Sequence, residues 1–143
     1  MKSALLLVPA IVALSACQQP AAVTVGNAWI RLAAVPANPS AGYFTLKGGV
    51  KGATLTGVST PAATRSEMHE SMKSGAMMSM APVTSVALPA GGQVAFAPGG
   101  KHVMLYGLKA QAGGSVPLTF TFADGKTLTA EAKVIGAGDS APE

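Results

Sequence analysis

The chain has 143 residues, of which 49% are hydrophobic and only 11% charged, so it has room for one domain with a real core and none for a two-domain enzyme. Ten basic residues against six acidic ones give a formal charge of +4, but they are scattered, with no basic run or stripe to follow a phosphate backbone, and nucleic-acid binding is excluded. Seventeen glycines and ten prolines favour short strands and turns over helices.

In chain order, Lys2 supplies a minimal positive start, and eleven of the thirteen residues from Ala4 to Ala16 are apolar, too short a run for a permanent membrane helix. Residues 1–16 therefore read as a secretory signal. The end of that run, Leu14-Ser15-Ala16-Cys17, resembles a bacterial lipobox, which implies lipid transfer to Cys17 and cleavage before it. Cys17 is the sole cysteine, so no intramolecular disulfide can form, and lipidation would occupy a thiol otherwise open to oxidation. Residues 17–22 form a short tether. Gln18 stands where the Asp of inner-membrane retention would be, leaving the outer membrane open as a destination.

The expected domain spans residues 23–135. Val23 to Leu32 is β-prone, with Trp29 and Ile30 as core anchors, and Pro36 and Pro39 end it in a loop. Further strands are expected at Ala41–Lys47, Ala53–Val58, Val86–Leu88, Val94–Phe96 and His102–Leu108. Val116, Leu118, Phe120 and Phe122 alternate with polar residues, and Asp124-Gly125 turns that strand into a partner at Thr127–Ile135. Residues 136–143 read as a flexible tail. Strands every eight to twelve residues with Gly or Pro between them predict an all-β antiparallel sandwich or small barrel.

Five of the seven methionines lie between Met68 and Met80, interrupted by Ser, Glu, Lys and Gly in a pattern that no single core face explains. Both histidines join them: His69 sits inside the cluster, and His102 is two residues before Met104, so in a strand those two share a face. With Ser74-Gly75 as a two-residue turn, His69 would stand opposite Met80, with Met78 on the same face and Met68, Met72 and Met77 on the other. Two imidazoles and two thioethers make a neutral, soft donor set that selects Cu(I) over Zn(II), Mg(II) or Ca(II). Met78 and Met68 are auxiliary candidates.

The spacing His69, ten residues, Met80, twenty-one residues, His102, one residue, Met104 resembles the motif of the periplasmic copper chaperones of the PCu(A)C family. The likeness continues in Ala28-Trp29-Ile30-Arg31, Ala41-Gly42-Tyr43-Phe44, Leu88-Pro89-Ala90-Gly91-Gly92, Pro98 to Leu105 and Pro117-Leu118-Thr119-Phe120, and so runs from Val23 to Val134. It implies a cupredoxin-like Greek-key β-sandwich, one Cu(I) per chain held by His69, Met80, His102 and Met104, and delivery to the CuA site of cytochrome c oxidase subunit II or to another copper-site assembly factor. On this reading the protein is a monomeric, non-enzymatic carrier, tethered to a membrane in the periplasm. The competing function is a periplasmic copper-sequestering lipoprotein, in which the extra methionines raise capacity. No His- and Met-rich extension follows the domain, which ends Gly138-Asp139-Ser140-Ala141-Pro142-Glu143.

Overall fold

The computed structural model describes residues 21–143. The expected signal segment, most of the tether and Cys17 lie outside the described residues. Ten strands follow one another: β1 (Thr24–Arg31), β2 (Ser40–Lys47), β3 (Ala53–Ser59), β4 (Arg65–Ser74), β5 (Met77–Pro82), β6 (Val86–Leu88), β7 (Gln93–Phe96), β8 (Lys101–Tyr106), β9 (Ser115–Phe122) and β10 (Thr127–Ile135). The all-β expectation holds, and the strands predicted from alternation reappear within one or two residues of their expected ends.

The strands form one sheet in the order β5-β4-β8-β2-β1-β10-β9-β3-β6, with β7 also paired to β2. It curls around a single core, because alternate residues of nearly every strand are apolar and need a common interior. Strand β9 buries Val116, Leu118, Phe120 and Phe122, as its period predicted. Phe44 of β2 stacks on Phe96 of β7 with ring centroids 4.3 Å apart and meets Phe120 edge-on at 4.7 Å, joining the two halves of the curled sheet. All pairings but one are antiparallel; β1 and β10 run parallel from Trp29↔Lys133 to Arg31↔Ile135.

Two expectations change. The expected burial of Trp29 and Ile30 holds: Ile30 lies in the core cluster, while Trp29, 8% exposed, turns to the other face of the strand and packs on Tyr43 at 4.4 Å, with the Arg31 guanidinium 5.3 Å from its ring. Burial there raises the Tyr43 phenol above its ordinary range, with Arg31 partly opposing. The expected tail is fixed at its start, since Arg31 donates to the carbonyls of Ala137 and Asp139, and the Asp139 carboxylate accepts from the Gly136 amide. The β4–β5 hairpin turns at Gly75-Ala76, one residue later than predicted, pairing Ser74 with Met77. Gly75 has φ +60°, the conformation that the first central residue of a tight hairpin turn requires, so glycine decides the register rather than the Ser-Gly pair.

Candidate metal centre

Strand β4 lies between β5 and β8, and its two ladders determine what meets on the outer face. Against β8 the register is Glu67↔Met104, Met68↔Val103 and His69↔His102; against β5 it is His69↔Pro82, Ser71↔Met80 and Lys73↔Met78. Side chains opposite one another share a face. One face therefore carries Glu67, His69, His102, Met104, Met80 and Met78, while Met68 points inward with Val103 and Leu105. His69 stands opposite His102, not opposite Met80 as predicted. Because the register moved by a whole pair, the assignment of residues to faces survived.

The two rings lie side by side, centroids 6.1 Å apart and planes 26° from parallel. His102 is 6% exposed although it points away from the core. Its Nδ1 is 2.9 Å from the Gly100 carbonyl, which also accepts the Ser71 amide at 3.1 Å. A carbonyl can only accept, so Nδ1 carries the proton and Nε2 a lone pair. That Nε2 is 3.1 Å from the Met80 sulfur. Two lone-pair atoms at this separation face each other, close to the roughly 3.5 Å between N and S ligands of one tetrahedral ion. A cation between them would satisfy both.

His69 is prepared in the same way. Its Nε2 is 3.1 Å from the Glu67 carboxylate, again an acceptor, which leaves the lone pair on Nδ1. Nδ1 is buried without a hydrogen-bond partner, the only such side-chain nitrogen or oxygen among the described residues. An unpartnered buried nitrogen is costly unless something fills its lone pair. Each imidazole thus donates through one nitrogen to an oxygen and offers the other, the arrangement in which an outer partner orients a metal-binding histidine.

Glu67 is the residue of this cluster that the sequence motif does not include. Arg65 pairs with it at 3.2 Å and the Tyr106 hydroxyl donates at 3.4 Å, while the Arg65 guanidinium also covers the Tyr106 ring at 4.0 Å. The hydrogen bond from His69 is the main reason its carboxyl is held below the ordinary range, with Arg65 adding to the effect and desolvation opposing it. Its position carried the signal: Glu67 is two residues before His69, hence on the same strand face, although a carboxylate is not a soft donor.

The methionines separate sharply. Met80 is 56% exposed on edge strand β5, Met104 is half-buried opposite Glu67, and Met78 is exposed one pair nearer the hairpin tip. Met68 is 6% exposed and belongs to the core, so the expectation that it serves as an auxiliary ligand is corrected: strand alternation turns it away from the site. Met72 and Met77 are exposed on the face opposite Met80, as predicted.

A curled β-sheet with a neutral nitrogen–thioether cluster on its outer surface defines a small β-sandwich domain suited to a soft monovalent cation. Residues 23–134 match the LpqE-like lipoprotein family, and the chain belongs to it; its fold is of the PCuAC type. Lipoprotein Lxx21020 of Leifsonia xyli is 34% identical over 114 residues, covering 77% of this chain and 68% of that protein. Among solved structures, Cu(I)-DR1885 of Deinococcus radiodurans superposes with a TM-score of 0.61 at 30% identity, over 85% of this chain and 83% of that one. The apo PCuAC domain of PmoF2 superposes with a TM-score of 0.68 at 20% identity, over 84% and 94%.

Proposed function

We propose that the protein is a periplasmic Cu(I) chaperone, held to a membrane through Cys17, that carries one ion per chain on His69, His102, Met80 and Met104 and passes it to a copper site under assembly. The observation that carries this reading is the pairing of the His102 Nε2 lone pair with the Met80 sulfur at 3.1 Å, beside a buried His69 nitrogen that has no partner. The DR1885 structure with Cu(I), similar over most of both chains, supports copper as the cargo.

The site's construction suits transfer. His102 is locked by the Gly100 carbonyl and almost buried, whereas Met80 sits exposed on an edge strand, where an incoming ligand can displace it without moving the core. Exchange then proceeds from the rim inward: Met80 yields first, His102 last. Glu67 keeps His69 in the copper-binding tautomer and places a negative charge beside a monovalent cation, although it contributes no metal bond.

The acceptor proposed is the CuA site of cytochrome c oxidase subunit II. A sequestering lipoprotein is the second reading, favoured by exposed Met72, Met77 and Met78 on the same hairpin. Titration of the domain with Cu(I) against a chromophoric chelator, followed by mixing with an apo CuA domain, separates them. A chaperone binds one tight ion and loads the acceptor; a store binds several and leaves the acceptor empty.

A further inference from the structure

The end of the barrel where the chain enters β1 holds a cavity of about 520 Å³. Its apolar wall includes Val23, Val50, Phe122 and Leu128, and Lys51 and Lys126 stand at its rim. Strand registers gather these parts: Thr24 pairs with Lys47, which precedes the 48–52 loop, while Leu55 pairs with Phe122, just before the turn at Asp124-Gly125. A cavity this large and apolar lies in the range of small-molecule sites.

We propose that this end of the barrel is a membrane-seating surface, its cavity taking part of an acyl chain of an anionic phospholipid and Lys51 and Lys126 meeting the phosphate.

Three observations meet here. The first is where the chain leads: Ala21 and Ala22 line the cavity, and a Cβ on Gly49 would come within 2.8 Å of their backbone, so glycine there lets the entering segment lie against the cavity wall. Cys17 is four residues upstream of Ala21, a reach of at most about 14 Å, so a lipid on that thiol would hold this end near the bilayer. The second is exposure: Val50 is 58% exposed at the cavity mouth, an aliphatic side chain on a loop tip with no core to serve. The third is charge: Lys47, Lys51 and Lys126 are exposed at this end against Asp124. Asp124 accepts from the Lys126 amide at 3.0 Å and forms only a long, exposed pair with the Lys126 ammonium at 3.9 Å, and among the described residues Lys51 forms no ion pair. Apolar surface ringed by lysines fits an anionic lipid surface.

The inference is independent of the copper reading, because no residue of the metal centre lines the cavity. The test uses residues 21–143, which carry all ten described strands and lack Cys17, so any binding is to lipid supplied in trans. Sedimentation with vesicles of pure phosphatidylcholine, and of an equimolar mixture with phosphatidylglycerol, measures affinity. The mixed vesicles should bind at least about tenfold more tightly, and added salt should weaken them. Lys51→Glu with Lys126→Glu should abolish the preference, Val50→Asp should weaken binding to both vesicles, and Lys109→Glu, near the other end of the barrel, should change little. No binding, an unchanged preference in the double variant, or an equal loss with Lys109→Glu would each overturn the proposal. Cu(I) affinity measured on the same variants should stay constant.

Discussion

Met68 and Met80 belong to the same hairpin, yet one is 6% exposed and the other 56%. Strand β8 shows the same contrast residue by residue: Val103 and Leu105 are fully buried, while His102 and Met104 between and before them face outward. The two faces of this ladder use similar side chains for different ends. Inward, the methionine is volume that fills a packed interior; outward, its sulfur is a donor. Composition cannot distinguish these roles, but period-two alternation can.

The contrast is broken most strongly by truncation. Met68→Ala should cost about 2–5 kcal/mol of unfolding free energy, as for other large-to-small core changes, while the folded fraction keeps its copper affinity. Met80→Ala should move stability by no more than about 0.5 kcal/mol, because its side chain is exposed. Chemical denaturation of both variants checks this, and equal losses would mean that the two faces do not differ as described.

Acidification acts on the outer face alone. Protons compete with Cu(I) for imidazole and not for thioether, so affinity should fall on acidification between about pH 7.5 and 5.5. Glu67 does not share in this change. Its carboxyl is held low, mainly by His69, so it stays ionised across that interval. The stability it contributes is present above the ordinary carboxylate range and is lost only as pH falls through its lowered folded value. Copper loss should therefore precede acid unfolding, which competition titrations and circular dichroism on one sample would show. A flat affinity would remove both imidazoles from the site.

Conservative replacement sharpens the comparison further. Met80→Leu and Met104→Leu keep volume and apolarity but remove sulfur, and each should weaken Cu(I) binding at least about tenfold, roughly 1.4 kcal/mol, with little change in folding. Glu67→Gln keeps the acceptor oxygen but loses the charge, and a smaller loss, of a few-fold, is expected. The smallest effects belong to Met72→Leu and Met77→Leu, exposed on the opposite face, which should alter affinity less than twofold. If every methionine variant weakened binding alike, the hairpin would be a diffuse thioether sink and the sequestration reading would replace the chaperone.

Much of this was legible in the sequence because β-structure writes its faces at period two. The strands, the shared face of His102 and Met104, and the grouping of Met78 with Met80 follow from parity alone. Pairing partners do not. The conformation of Gly75 moved the hairpin by one pair, and the His69–His102 pairing arises between strands separated by more than thirty residues, which local spacing does not encode. The hydrogen bonds that set the two histidine tautomers depend on a glycine carbonyl and on Glu67, neither of which carries a donor signature in the sequence.

X-ray absorption at the copper edge of the Cu(I)-loaded domain tests the central claim most directly, because nitrogen and sulfur neighbours scatter differently. The outer-face site requires two nitrogen and two sulfur scatterers in the native chain, and the loss of one sulfur in Met80→Leu with both nitrogens retained. A coordination shell of three or more sulfurs with fewer than two nitrogens, or a spectrum unchanged by Met80→Leu, would contradict it.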